Sequence, residues 1–191
     1  MMMVILLILV IVILLILLFF IFYMRDCEIE FLYIKDFLPQ EEFHKVRRLC
    51  QGYEPKMIDD DLDIVENRKI YELGRNDYIT NIFSSKHARD KLKLLRANPS
   101  DTPVEYRIYG KGGKMEWHCD DKLYMKRQYE IVYTTENTSD SLTEWIDPNT
   151  KKLYSLSTEP NSALIVRAQT VLHHVTPVTK GERKILKFAC V

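Results

Sequence analysis

The chain is poor in the residues that punctuate linkers and staple small folds. Six glycines and seven prolines are spread over 191 residues. There is no Gly- or Ser-rich linker and no internal repeat, which argues against a solenoid or a string of tethered domains. The four cysteines, Cys27, Cys50, Cys119 and Cys190, form no Cys-x-x-Cys pair. That speaks against a structural zinc site and leaves disulfides dependent on the compartment. Excess charge is missing too: 27 Lys and Arg balance 27 Asp and Glu, so no net field draws the chain to nucleic acid, and no such partner is expected. Histidine is scarce, at five residues, which makes the position of each one informative.

The longest absence is of charge at the N-terminus. Met1 to Met24 hold no charged side chain and are almost wholly aliphatic or aromatic. As a helix this run spans ~36 Å, enough to cross a bilayer. Residues 1–24 are therefore expected to form one transmembrane anchor, making the protein a single-pass membrane protein. A cleaved signal peptide would need a basic start, a shorter apolar core and a small-residue cleavage site, none of which is present. Arg25 and Lys35 follow the run and no Lys or Arg precedes it, which favours a cytoplasmic catalytic side.

Beyond the anchor, residues 25–191 are expected to form one domain, with 25–103 supplying a strand and supporting helices and 104–191 a core of strands. Glu28 to Ile34 alternate as a strand. Pro39-Gln40-Glu41-Glu42 open a helix to about Cys50, with Phe43, Val46 and Leu49 on one face. Residues 52–76 are charged, and Asp59, Asp60, Asp61 and Asp63 read as a solvated turn, since a calcium loop would need a Gly and a terminal Glu that are missing. Tyr78 to Arg96 show helical spacing. From Val104 the period becomes two, interrupted by a turn at Gly110-Lys111-Gly112-Gly113. Tyr129–Thr134, Ser162–Ala168, Thr170–Val175 and Arg183–Val191 are strand-like. The expected class is α+β: a double-stranded β-helix, or jelly roll, with N-terminal supporting helices, preceded by one transmembrane helix.

Two short blocks carry chemistry. His118 and Asp120 are two apart, so on a strand both side chains reach one side while Cys119 faces away. Alone, a His-x-Asp is weak and occurs in surface turns. Fifty-five residues on, His173 is followed by Pro177-Val178, Gly181 and Arg183, five set types within eleven positions. Two imidazoles and one carboxylate suit a divalent iron held on one face. Of the adjacent histidines only one can face inward, and the spacing to Pro177 selects His173; His174 is then an outward residue. Lys184 is one register off from Arg183. Lys187 shares the parity of Arg183, and because a buried lysine needs a partner, a local twist or an open mouth is expected there.

These blocks resemble the prolyl 4-hydroxylase branch, the alpha-subunit type, of the Fe(II)- and 2-oxoglutarate-dependent dioxygenases. The pattern is His-x-Asp, then a His four residues before Pro-Val, then Gly-x-Arg or Gly-x-Lys. The resemblance implies that His118, Asp120 and His173 are iron ligands and that Arg183 anchors the distal carboxylate of 2-oxoglutarate, a task suited to a planar guanidinium. Tyr109, which with Gly112 matches a Tyr-x-x-Gly pattern, would help hold the same carboxylate. It further implies O2 and L-ascorbate as cofactors beside Fe(II) and 2-oxoglutarate, succinate and CO2 as coproducts, and a protein or peptide substrate hydroxylated at proline, as by procollagen-proline 4-dioxygenase. Resemblance to hydroxylases of the secretory pathway opposes the cytoplasmic orientation, so the side of the membrane stays open.

The chain also departs from the family. Where many relatives carry Gly-Gly-Glu-Thr, it reads Asn137-Thr138-Ser139-Asp140-Ser141-Leu142-Thr143-Glu144-Trp145. A lysyl side chain or a small molecule is therefore an alternative substrate. A membrane-anchored jelly roll that binds a partner without catalysis is the alternative from another class.

Overall fold

The computed structural model describes residues 11–17 and 29–191. The expected anchor lies largely outside the described residues. Its described part, 11–17, is helical (α1), with every side chain exposed. Among the described residues no helix is long and apolar enough to cross a membrane.

Strand β1 (Phe31–Ile34) is followed by helix α2 (Gln40–Tyr53), the two-residue β2 (Ile58–Asp59), β3 (Val65–Glu72) and helices α3 (Tyr78–Phe83) and α4 (Lys86–Leu92). Seven strands complete the chain: β4 (Glu105–His118), β5 (Tyr129–Asn137), β6 (Thr143–Ile146), β7 (Leu153–Leu156), β8 (Ser162–Arg167), β9 (Leu172–Val175) and β10 (Arg183–Cys190). Their order is β1-β8-β5-β10-β4-β9-β6-β7, with β3 on β4 and β2 on β3.

Strand β4 decides the shape. Its first half pairs with β10, setting Arg183 opposite Tyr109, and its second half pairs with β9, setting His118 opposite His173. One long strand thus changes partners midway, and the single ten-stranded sheet curls into an antiparallel half-barrel with few helices, consistent with a jelly roll.

The period-two alternation sorts the side chains. Tyr106, Ile131, Tyr133, Leu186 and Phe188 point to the convex face, where they form one core with Phe43, Val46, Ile79, Phe83 and Leu92 of the helices. Phe83 stacks on Phe188 at 4.4 Å between centroids. Helix α2 buries Phe43, Val46 and Cys50 and keeps Glu41 and Glu42 in its first turn, where the helix dipole favours them. Asp77 and Ser85 cap α3 and α4 by accepting from the amides of Ile79 and Ala88. The other parity, Arg107, Tyr109, Val132, Leu164, Arg183, Ile185 and Lys187, faces the concave interior.

Two expectations need correction. The glycines 110–113 do not make a turn; β4 runs through them without a break. Gly112 takes φ +80°, and a Cβ there would meet the Asn67 amide at 2.8 Å, so these glycines let β4 bend past β3 where its register shifts beside Asn67. Gly112 and Gly113 also exchange backbone hydrogen bonds with Val178 at 2.7 and 2.9 Å, tying the turn after β9 to β4. The charged stretch 52–76 holds β3, whose inward residues include Arg68. Finally, Asp60 is not a solvated turn residue: its buried carboxylate accepts from Arg68 Nε at 2.8 Å.

Candidate active site

His118 ends β4, Asp120 follows it and His173 lies across on β9. Their ligating atoms all fall within 4.8 Å of one another. Asp120 Oδ1 is 3.8 Å from His118 Nε2, and Oδ2 is 3.5 Å from His173 Nε2. Each imidazole is oriented by a backbone carbonyl two residues back, His118 Nδ1 on Glu116 O at 2.8 Å and His173 Nδ1 on Val171 O at 3.0 Å. With Nδ1–H donated in this way, each Nε2 keeps its lone pair for the common point.

His118 Nε2 is buried and has no hydrogen-bond partner among the described residues, a costly arrangement unless something sits there. Burial, aided by His173, lowers the His118 pKa to about 4, so the ring is neutral, as a metal ligand must be. Burial pushes the Asp120 carboxyl up, but Lys187 and the two imidazoles outweigh it and hold it below the usual range. Two imidazoles and a carboxylate converging on one point fit a divalent transition metal.

His174 points the other way. Its ring stacks on Trp117 at 3.9 Å and its Nε2 lies 2.8 Å from Glu144. Lys184 is also outside the barrel, paired at 2.9 Å with both Glu54 and Glu182.

Arg183 stands deeper in the barrel, 2% exposed. Among the described residues no acidic side chain pairs with it, its Nε has no partner, and burial lowers its pKa. A buried, unpaired guanidinium calls for an anion. Its position depends on Gly181, whose φ is +69° and where a Cβ would lie 2.2 Å from the Thr138 carbonyl oxygen. The Gly of the Gly-x-Arg spacing is therefore a steric requirement of the turn into β10.

Tyr109 lines the same chamber, 1% exposed, and its hydroxyl accepts from Arg68 Nη1 at 2.8 Å. Burial raises the phenol pKa, but Arg68, Arg107 and Arg183 pull it below its ordinary value. Thr143 on β6 adds a buried hydroxyl without a partner in this chamber. Arg68 and Thr143 escape sequence reasoning. Only recognition of β6 as a strand, which gives Thr143 inward parity, could have singled it out.

Two cavities meet at the cluster. The inner one, about 30 Å³, is lined by Tyr109, Thr143, His173 and Arg183 among aliphatic side chains. The outer one, about 400 Å³, is a cleft walled by Leu62, Ile64, Leu123, Glu130 and Phe188. His118, Asp120, Arg107, Met115 and Lys187 line both. Lys187 does point inward, and the expected twist is unnecessary because it has partners: Asp120 Oδ1 at 2.9 Å and Glu130 Oε2 at 3.4 Å. Trp145 lines neither cavity; it stacks between Phe31 and Tyr154 at 3.6 and 5.5 Å.

No family model matches the chain, and no curated protein matches its sequence. Solved structures match its fold. A Pseudomonas putida prolyl-4-hydroxylase superposes with TM-score 0.68 at 15% identity, covering 84% of this chain and 91% of its own. A Trichoplax adhaerens prolyl hydroxylase, in complex with a peptide fragment of the hypoxia inducible factor oxygen degradation domain, gives 0.67 at 14%, covering 84% and 83%. The non-heme alpha ketoglutarate dependent epimerase SnoN from nogalamycin biosynthesis gives 0.69 at 6%, covering 85% and 76%. The expected resemblance is matched at the level of architecture: this chain has the fold shared by prolyl-4-hydroxylases and other 2-oxoglutarate-Fe(II) oxygenases.

Proposed function

We propose that the protein is a membrane-anchored Fe(II)- and 2-oxoglutarate-dependent dioxygenase that hydroxylates a peptidyl proline. One observation carries the reading: the His118, Asp120 and His173 cluster lies where a large cleft meets a small inner cavity that holds a buried arginine with no acidic partner among the described residues. His118 Nε2, His173 Nε2 and an Asp120 oxygen would hold the iron. Arg183 would take the distal carboxylate of 2-oxoglutarate in a charge-assisted pair, with Thr143 donating beside it and Tyr109 closing the wall. Bound there, iron and 2-oxoglutarate supply the oxidising chemistry that places one oxygen atom of O2 on a substrate C–H bond and releases succinate and CO2.

The chain's own work is orientation and exclusion. The aliphatic lining of the inner chamber keeps bulk water from Arg183, so its charge acts at low dielectric. The backbone carbonyls of Glu116 and Val171 fix the two imidazoles, which lowers the ordering cost on loading. Leu62, Ile64 and Leu123 give the cleft an apolar lip, which suits a proline ring presented on an extended peptide. The peptide-bound prolyl hydroxylase among the structural neighbours supports a peptide substrate, and the epimerase on the same fold marks why substrate must be tested directly.

Membrane attachment through residues 1–24 rests on their apolar run, and L-ascorbate as reductant rests on the resemblance alone. The test of function is anaerobic loading of the full chain in detergent with Fe(II) and 2-oxoglutarate. O2 is then admitted with proline-containing peptides, and peptide mass and succinate are followed. A gain of one oxygen per succinate at proline supports the reading; succinate release without peptide oxidation directs the search to lysyl or small-molecule substrates.

A further inference from the structure

The cleft holds one charged side chain too many for the site just described. Glu130, on β5, is 5% exposed and lines the outer cavity with His118 and Asp120. Its oxygens lie outside the 4.8 Å cluster of His118, Asp120 and His173, but a second buried carboxylate in the same cleft is a further ligand for a hard or borderline divalent cation if it is free to swing in. Lys187 stands between the two acids, its Nζ 2.9 Å from Asp120 Oδ1 and 3.4 Å from Glu130 Oε2. An ammonium has three donors and no lone pair, so it can hold both acids without itself ligating. Glu130 is also fixed from its other side: Gln128 Nε2 donates to Oε1 at 2.6 Å and to the Asp121 carbonyl at 3.1 Å, while Gln128 Oε1 accepts from Leu123 N at 2.8 Å. Arg107 lines the same cleft but pairs through Nη2 with Glu105, not with Asp120 or Glu130.

We propose that Lys187 is a positioning residue that sequesters Asp120 Oδ1 and the Glu130 carboxylate, so that the chain presents three ligand groups, with a single oxygen from Asp120. This rests on the metal-site reading above and adds a cause for its openness. The remaining positions stay free for the cosubstrate because the second carboxylate, that of Glu130, is tied down. The same chain, Asp120 to Lys187 to Glu130 to Gln128, runs on to Leu123 at the lip of the cleft, so the metal ligand and the substrate entrance share one polar framework.

The test uses Co(II) as the probe, anaerobically, on the full-length protein, reading its visible absorption and then the affinity for 2-oxoglutarate. Lys187→Met is expected to bind Co(II) with an altered spectrum, as an extra carboxylate oxygen enters, and to bind 2-oxoglutarate at least ~10-fold more weakly. Adding Glu130→Gln to Lys187→Met should restore both readouts toward the unaltered protein, and Lys187→Arg should leave both near it. A purely structural role would produce neither the spectral change nor the rescue. An unchanged spectrum with 2-oxoglutarate affinity within about twofold overturns the proposal. If Lys187→Met does not fold, Lys187→Gln keeps a donor for Glu130 and should shift both readouts in the same direction by a smaller factor; no shift overturns the proposal equally. If the unaltered protein binds Co(II) no better than His118→Ala, the metal site itself fails, a result separable from a failure of the Lys187 role.

Discussion

The two cavities that meet at His118 and Asp120 are built on opposite principles. The inner chamber is small and mostly apolar, and among the described residues its Arg183 has no acidic partner; the outer cleft is larger, and both of its cations are paired. Lys187 is matched by Asp120 and Glu130, and Arg107 by Glu105. A chamber that leaves a charge unpaired is committed to one small anion and is destabilised without it. A cleft whose cations are paired and outnumbered by carboxylates makes no such commitment to an anion and selects through shape and its apolar lip. On the proposed reading, the cosubstrate follows from the residues, whereas the substrate follows only as a class.

The sharpest way to break this contrast is at the junction. His173→Ala should lose metal binding and all turnover, while His174→Ala, which gives up only the Trp117 stack and the Glu144 contact, should keep both within a few fold; metal binding by equilibrium dialysis separates them. Equal losses would overturn the assignment of the inward histidine.

Next in size is the inner chamber. Arg183→Met should weaken 2-oxoglutarate binding ~10- to 100-fold, equivalent to a charge-assisted pair of roughly 1.5–3 kcal/mol. It should also raise the melting temperature of the ligand-free protein, because an uncompensated buried charge is removed. A lower melting temperature would mean that Arg183 is a structural member of the core. Gly181→Ala should cost about 2–4 kcal/mol in denaturant unfolding, since both its positive φ and the Thr138 carbonyl exclude a Cβ, and should weaken 2-oxoglutarate binding through displacement of Arg183. Tyr109→Phe is the mildest change: loss of the Arg68 contact should cost ~1 kcal/mol of stability and only a few fold in 2-oxoglutarate affinity.

The proposed ligand set was legible in the sequence because coordination restricts residue type and the strand period restricts which neighbours share a face, whereas the proposed anion anchor came from the resemblance. His173 and His174 differ only by that period, and the structure separates them as the period requires. The supporting charges were not legible in the same way. Arg68 and Asp60 lie in a stretch whose polarity suggests solvent, and burial becomes tolerable only because each is the other's partner, a fact that arises in three dimensions. Lys187 was legible as inward-facing but not as partnered, since Glu130 is on a different strand and has no signature of its own. Strands β6 and β7, four residues each, are too short for periodicity to declare and are held by β9 and by each other. The glycines of β4 misled for a physical reason: the same freedom that permits a turn permits a strand to bend past Asn67.

The most direct test of the account is anaerobic titration of 2-oxoglutarate into the full-length protein with and without Fe(II), for the unaltered chain and His118→Ala. Binding that requires Fe(II) and disappears in His118→Ala is the predicted result. Binding that is absent from both proteins, or equal in both, would contradict the metal site and leave the barrel as a scaffold for recognition without catalysis.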